Sequence, residues 1–79
     1  MDARIQWNHT TGSFFLGETG GWTEVTSNGL IQFVESNRSS EFIELFDETR
    51  QLWVRLYDSM SYWAQTPNNS TWHGLYGGG

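Results

Sequence analysis

The chain contains no cysteine in its 79 residues, and this excludes a disulfide framework and any thiolate metal site. It also contains no lysine, because all four basic residues are arginine, so thiolate and Schiff-base chemistry are both excluded. Two histidines are too few for an ordinary structural zinc site. The acidic turns lack the alternating Asp and Asn ligands of a dedicated calcium loop. We therefore expect no cofactor and no metal.

Positive charge is scarce, since the formal net charge is −5 and the pI is about 4.6. A protein that binds nucleic acid needs a basic stripe to displace counterions from phosphates. The acidic excess of this chain repels DNA and anionic membranes. We therefore expect neither a nucleic-acid partner nor a membrane partner.

Long hydrophobic runs are absent as well. The sequence has no apolar stretch long enough to cross a bilayer and no charged-then-apolar signal segment. These absences predict a soluble chain, with the cytoplasm as the default location.

Aromatic residues, in contrast, are abundant: they make up 16% of the chain and include five tryptophans. A domain of this size buries only about 60–65% of the surface that its unfolded chain exposes. Without disulfides or metals, the remaining sources of stability are aromatic packing and self-association. The composition therefore favours a homo-oligomer.

The pattern along the chain predicts an all-β fold. No segment keeps a helical period for long, and turn signals containing Gly, Asn, Asp or Pro recur at short intervals. We predict a single antiparallel meander of six to eight short strands, which forms either a closed barrel or a curved open sheet. The predicted strands lie near residues 4–7, 13–16, 22–26, 30–35, 41–46, 51–57, 60–65 and 71–76.

Glycine marks two further expectations. The "SNG" at Ser27–Gly29 predicts a type I′ hairpin turn with a positive φ at Gly29. The "GGG" at Gly77–Gly79 cannot pack side chains, so we expect one β domain over residues 1–76 and a disordered tail over 77–79.

The clearest hairpin is "EFIELFDETRQLWVRLYD", from Glu41 to Asp58. Strict alternation on both sides of "DETR" predicts two paired strands, with Leu45 opposite Leu52 and Phe42 opposite Arg55. One face is then purely aliphatic and must be core. Its residues are Ile43, Leu45, Leu52, Val54 and Leu56, and we expect Leu45, Leu52 and Val54 to be almost fully buried.

The other face of the hairpin is aromatic and charged, with Phe42, Glu44, Phe46, Trp53, Arg55 and Tyr57. The neighbouring "MSYWAQ" could extend it through Trp63. One interpretation is that a further strand layer or a neighbouring subunit covers this face. The other is a binding platform, since sugars stack on Trp and Tyr rings and share hydroxyls with charged side chains. The candidate binding residues are Phe42, Glu44, Trp53, Arg55, Tyr57 and Trp63.

The segment from Gly20 to Trp63 carries a recognisable pattern. It runs through Trp22-Thr23-Glu24, Phe33-Val34-Glu35, Phe42 to Asp47 with Arg50, Val54-Arg55-Leu56 and Trp63. This pattern resembles small all-β modules found in bacterial proteins, alone or appended to larger chains. The resemblance covers about half the chain and implies a bacterial-type β domain. It implies no substrate and no site.

These observations favour a non-catalytic binding or interaction module that self-associates through its aromatic sheet face. The alternative is a carbohydrate-binding, lectin-like module. A small hydrolase comes third, because carboxylate pairs such as Glu41 with Glu44 exist but a short chain has little room for a cleft. We expect no catalytic residues. We also expect His9 and His73 to be surface or hydrogen-bonded side chains rather than ligands.

Overall fold

The computed structural model describes residues 4–66 and 71–79, and within them the chain is all-β with no helix. Eight antiparallel strands form one sheet in which spatial order follows chain order, so the predicted meander is confirmed. The strands are β1 (Gln6–His9), β2 (Gly12–Leu16), β3 (Gly21–Thr26), β4 (Gly29–Arg38), β5 (Ile43–Asp47), β6 (Leu52–Leu56), β7 (Met60–Ala64) and β8 (His73–Gly77).

The sheet curls on itself because every strand directs alternate side chains towards a common interior. In β3, for example, Trp22 and Glu24 point inwards, whereas Val25, the residue after Glu24, is exposed. The buried hydrophobic cluster draws on β1 to β6, with partly buried side chains from β7 and β8 packed against it. Its members are Trp7, Phe14, Trp22, Phe33, Ile43, Leu45, Val54 and Leu56.

The result is a nearly closed barrel with one unsealed seam between β1 and β8 in the part of the chain that the structure describes. The two ends of the sheet meet at an isolated bridge between His9 and Gly78. Two backbone hydrogen bonds accompany it: the Asn8 N–H donates to the Gly79 carbonyl at 3.0 Å, and the Gly79 N–H donates to the Asn8 carbonyl at 2.9 Å.

The C-terminal glycines therefore differ from the disordered tail expected over residues 77–79. Gly77 ends β8, and Gly78 and Gly79 pair with the β1 backbone. The physical reason is their missing side chain, because a Cβ on Gly78 would lie 1.9 Å from the Asn8 carbonyl oxygen. Only glycine lets the two backbones approach this closely.

The hairpin of β5 and β6 has the predicted faces but a different register. Leu45 lies opposite Val54, not Leu52, and Glu44 lies opposite Arg55. The predicted register is wrong by two residues, because Asp47 continues β5 instead of starting the turn, so the turn is centred one residue later in the chain. A slip of two residues leaves each side chain on its predicted face, because side chains alternate between the faces with a period of two.

The turn after β5 is held by the Asp47 side chain. Its Oδ1 accepts the backbone N–H groups of Thr49 at 2.9 Å and Arg50 at 3.2 Å. Gln51 then adopts a left-handed φ of 54° and returns the chain into β6. An acidic side chain capping its own turn is typical of Asp.

Burial within the aliphatic face follows position along the barrel. Leu45 and Val54 are 0% and 1% exposed, which confirms their predicted burial. Leu52 is only half-buried, so the prediction is wrong for this residue. It is the first residue of β6 and lines a cavity at the end of the barrel.

Gly29 has a φ of 129°, as predicted. The turn is nevertheless not type I′, because that turn needs positive φ at both central residues and Asn28 does not have it. The Thr26 hydroxyl instead accepts the Asn28 N–H at 3.2 Å, and Thr26 pairs with Gly29 across the hairpin.

Candidate functional site

The outside of the barrel over β5 to β7 carries a set of half-buried rings, here called the outer aromatic surface. It consists of Phe42, Phe46, Trp53, Tyr57, Tyr62 and Trp72. Five of the six predicted binding residues belong to this region: three contribute rings, and Glu44 and Arg55 lie among them. Tyr62 and Trp72 are additional members that the sequence prediction missed.

The two charges on this surface neutralise each other. The Arg55 Nε donates to the Glu44 carboxylate at 2.9 Å, and Ser36 Oγ donates to the other carboxylate oxygen at 2.9 Å. Glu44 is only 7% exposed. The Arg55 guanidinium lies 4.4 Å from the centre of the Phe42 ring and 4.3 Å from that of the Trp72 ring. The charges of Arg55 and Glu44 are therefore both balanced by partners within this surface, through the ion pair and the cation–π contacts.

The rings of this surface contact one another in two groups. Phe46 and Trp53 lie directly opposite each other with ring centres 4.6 Å apart. At the other end, Tyr57 contacts Phe42 at 5.4 Å and Tyr62 at 5.6 Å. Such ring pairs stabilise each other beyond the area they bury.

Trp63 lies apart from the other predicted binding residues. It is opposite Val54, and it lines the cavity at the barrel end with its ring stacked 4.6 Å from that of His73. Its neighbour Tyr62 lies opposite Arg55 and occupies the outer face instead. The register between β6 and β7 therefore determines that Tyr62 faces outwards and the adjacent Trp63 faces inwards.

A cleft of about 660 Å³ opens beside the outer aromatic surface. Three rings of that surface, Tyr57, Tyr62 and Trp72, form part of its wall. The carboxylates of Glu41 and Asp58 and the hydroxyl-bearing residues Ser40 and Ser59 are also in its lining. Rings beside hydroxyls and carboxylates suit a polyhydroxylated ligand.

A second cavity, here called the mouth cavity, lies at the barrel end where β5 and β6 are joined. Its volume is about 490 Å³, which is within the range of small-molecule sites. The walls are mainly apolar, and polar groups stand at the rim. The apolar lining residues are Ile31, Phe33, Leu52, Val54, Trp63 and Leu75.

A buried carboxylate lines this cavity. Glu24 is 3% exposed, and its Oε2 lies 3.1 Å from His9 Nε2. The Tyr76 hydroxyl also hydrogen-bonds to Glu24, and burial together with this carboxylate raises the pKa of Tyr76 to about 12. The His9 and Tyr76 rings stack with centres 3.7 Å apart. We expected His9 to be a surface or a hydrogen-bonded side chain. It is hydrogen-bonded, but its side chain is completely buried.

An ion pair borders the mouth cavity at its rim. Arg50 donates from Nε to the Asp47 carboxylate, and its guanidinium lies 5.9 Å from the centre of the Phe33 ring. Burial of Asp47 raises its pKa, but hydrogen bonds from the Arg50 side chain and backbone and from the Thr49 backbone outweigh this effect. The net result is a lowered pKa.

The mouth cavity is absent from the sequence prediction, although one signal for it existed. Glu24 lies two residues after Trp22 in β3 and therefore on the same face, so a strand that buries Trp22 must also bury Glu24. A charged residue at a core position indicates a site or a paired group. The distant partners His9 and Tyr76 carried no comparable signal.

The described residues contain no group of three or more His, Cys, Asp or Glu side chains placed to hold a metal ion. In residues 4–66 and 71–79 there is likewise no helix long and apolar enough to cross a membrane.

No protein-family model, curated protein or solved structure matches this chain. The resemblance to small bacterial β-modules therefore stays a prediction.

Proposed function

We propose that this chain is a non-catalytic binding module that self-associates through its outer aromatic surface. The observation that carries the proposal is the position of the rings. The barrel interior already has its own aromatic core in Trp7, Phe14, Trp22 and Phe33. The outer rings therefore form a second aromatic layer on the side of the sheet that faces solvent, and Trp and Tyr dominate the energetics of protein interfaces.

The charge distribution supports a second copy of the chain as the partner. Each copy carries a formal charge of −5, so two copies repel unless they meet where the surface has no net charge. The outer aromatic surface meets this condition, because Arg55 and Glu44 neutralise each other there.

The row of Val34, Phe46 and Trp53 provides the apolar centre of the proposed interface. These residues are neighbours across three strands, and Val34 is 52% exposed. A symmetric dimer would bring two such rows face to face, and two-fold dimers are the commonest oligomers. Apolar rows of this kind pack about 10 Å apart when two sheets stack.

A non-catalytic role is supported by the state of Glu44, one of the two carboxylates of the pair considered for a hydrolase. Glu44 already accepts hydrogen bonds from Arg55 and Ser36 and is nearly inaccessible. A general acid or nucleophile would need a carboxyl group that faces a substrate.

Sedimentation velocity of Trp53→Ala tests the proposal. Losing an interface Trp typically costs about 2 kcal/mol or more of association free energy, so the dissociation constant should rise roughly thirtyfold or more. The matched control is Phe15→Ala, since Phe15 is 40% exposed on the outside of β2, away from the outer aromatic surface. Unchanged association of Trp53→Ala, or equal weakening by Phe15→Ala, would contradict the proposal.

Carbohydrate binding is the second candidate, favoured by the cleft that combines Trp72, Tyr57 and Tyr62 with two carboxylates. A glycan array probed with wild type and Trp72→Ala tests it. We expect glycan binding that Trp72→Ala abolishes if this alternative holds. An absence of signal from the wild type would leave self-association as the function of the surface.

A further inference from the structure

The mouth cavity is separate from the outer aromatic surface and has a chemistry of its own. Its walls are apolar, yet the Glu24 carboxylate lines it at 3% exposure. A buried carboxylate is strongly destabilising unless hydrogen bonds or an opposite charge compensate it. The partners of Glu24 therefore decide what the cavity is suited to bind.

Those partners are neutral. The Thr11 N–H donates to His9 Nδ1 at 3.3 Å, so the proton of the imidazole is on Nε2, which donates to Glu24. The second partner is the Tyr76 hydroxyl, a neutral donor. Among the residues that the structure describes, His9 is the one basic side chain within ion-pair distance of Glu24. The negative charge is thus hydrogen-bonded but not neutralised.

The rim does not supply the missing positive charge. Arg50 is in the cavity lining, but its guanidinium is paired with the Asp47 carboxylate and not with Glu24, so its positive charge is already balanced. A carboxylate has about four acceptor positions, and the two known donors leave capacity for a further one. The ring of Trp63 on the wall would add cation–π attraction for a positively charged ligand.

We propose that the mouth cavity binds a small organic cation: an apolar body carrying a protonated amine that donates to Glu24. The body would pack against Ile31, Leu52 and Leu75, and the volume of about 490 Å³ accommodates a molecule with one aromatic ring and a short chain.

Isothermal titration calorimetry with three probes of one shape tests this inference. The probes are 2-phenylethylamine, the neutral 2-phenylethanol and the anionic 3-phenylpropanoate. A hydrogen bond between two charged groups is stronger than one with a neutral partner by about 1.4 kcal/mol, so the amine should bind about tenfold more tightly than the alcohol. We expect the anion to bind most weakly.

Two variants with the same change of charge separate the cavity from the general acidity of the chain. Glu24→Gln should bring the amine down to the affinity of the alcohol, because an amide carries no charge. Glu48→Gln, in the exposed turn outside the cavity lining, should preserve the tenfold preference. Equal loss in both variants would overturn the proposal, and so would a preference for the anion or no binding of any probe at millimolar concentration.

A third variant covers the case in which Glu24→Gln does not fold. Leu75→Trp fills the cavity from its wall and leaves the carboxylate in place. Loss of amine binding in a folded Leu75→Trp supports the inference, and undiminished binding overturns it.

Discussion

Replacing Gly78 with alanine perturbs the closure of the barrel at a single point. The new Cβ would lie 1.9 Å from the Asn8 carbonyl oxygen and 3.0 Å from the Asn8 carbonyl carbon. Both atoms belong to the backbone, so no side chain can rotate away to relieve the clash. The C-terminal strand must therefore move away from β1.

Three backbone hydrogen bonds are at stake in this movement. Two join Asn8 to Gly79, and in the third the Gly78 N–H donates to the Ser59 carbonyl at 3.0 Å. At about 1 kcal/mol each, their loss costs roughly 3 kcal/mol. Alanine recovers about 0.4–1 kcal/mol by restricting the unfolded chain. We expect Gly78→Ala to lower the free energy of unfolding by about 2 kcal/mol, or the Tm by roughly 8–16 °C.

Gly77→Ala is the matched control, one residue earlier in the same strand. Its Cβ would lie 3.8 Å from the Met60 sulfur and 3.9 Å from the Ser59 carbonyl oxygen, which are ordinary contact distances. Urea denaturation of both variants should show little change for Gly77→Ala and a large loss for Gly78→Ala. Equal stability of the two variants would refute closure of the barrel by the terminal glycines.

Three further changes test the core, a turn and a buried charge. Leu45→Ala should lower the free energy of unfolding by about 2–5 kcal/mol in urea, and a loss below about 1 kcal/mol would mean that the hairpin faces are reversed. Gly29→Val should lower the Tm well beyond a surface change, because a β-branched residue is strained at a φ of 129°; a neutral result would contradict the turn geometry. Asp47→Asn should lower stability by about 1–3 kcal/mol at pH 7. Since the pKa of Asp47 is lowered in the folded state, the wild type loses this advantage as the pH falls below about 4, and a deficit independent of pH would contradict the assignment.

Most of the fold could be predicted from the alternation of side chains along each strand. A period of two residues assigns every side chain to a face, so the aliphatic interior and aromatic exterior of the β5–β6 hairpin could be predicted without the partner strands. The register of this hairpin could not be predicted, because the position of the turn depends on whether Asp47 continues the strand or starts the turn. The aspartate side chain caps the turn from inside β5, and alternation contains no signal for that choice.

Features that join distant parts of the chain were beyond prediction for a related reason. The contact of Gly78 with β1 depends on how far the sheet curls, which is a property of all eight strands together. Trp72 reaches Arg55 from just before β8 and not through strand pairing. Glu24 and Tyr76 meet across the barrel interior. The faces of single strands are local properties, whereas these contacts depend on how the strands are arranged in the whole sheet.

The proposed self-association is tested most directly by sedimentation equilibrium of the wild-type chain from micromolar to millimolar concentration. We predict an average mass that rises with concentration from the monomer value of 9.1 kDa towards twice that value. Burial of the outer aromatic surface between two copies would cause this rise. A single species of 9.1 kDa across the whole range would contradict self-association through this surface.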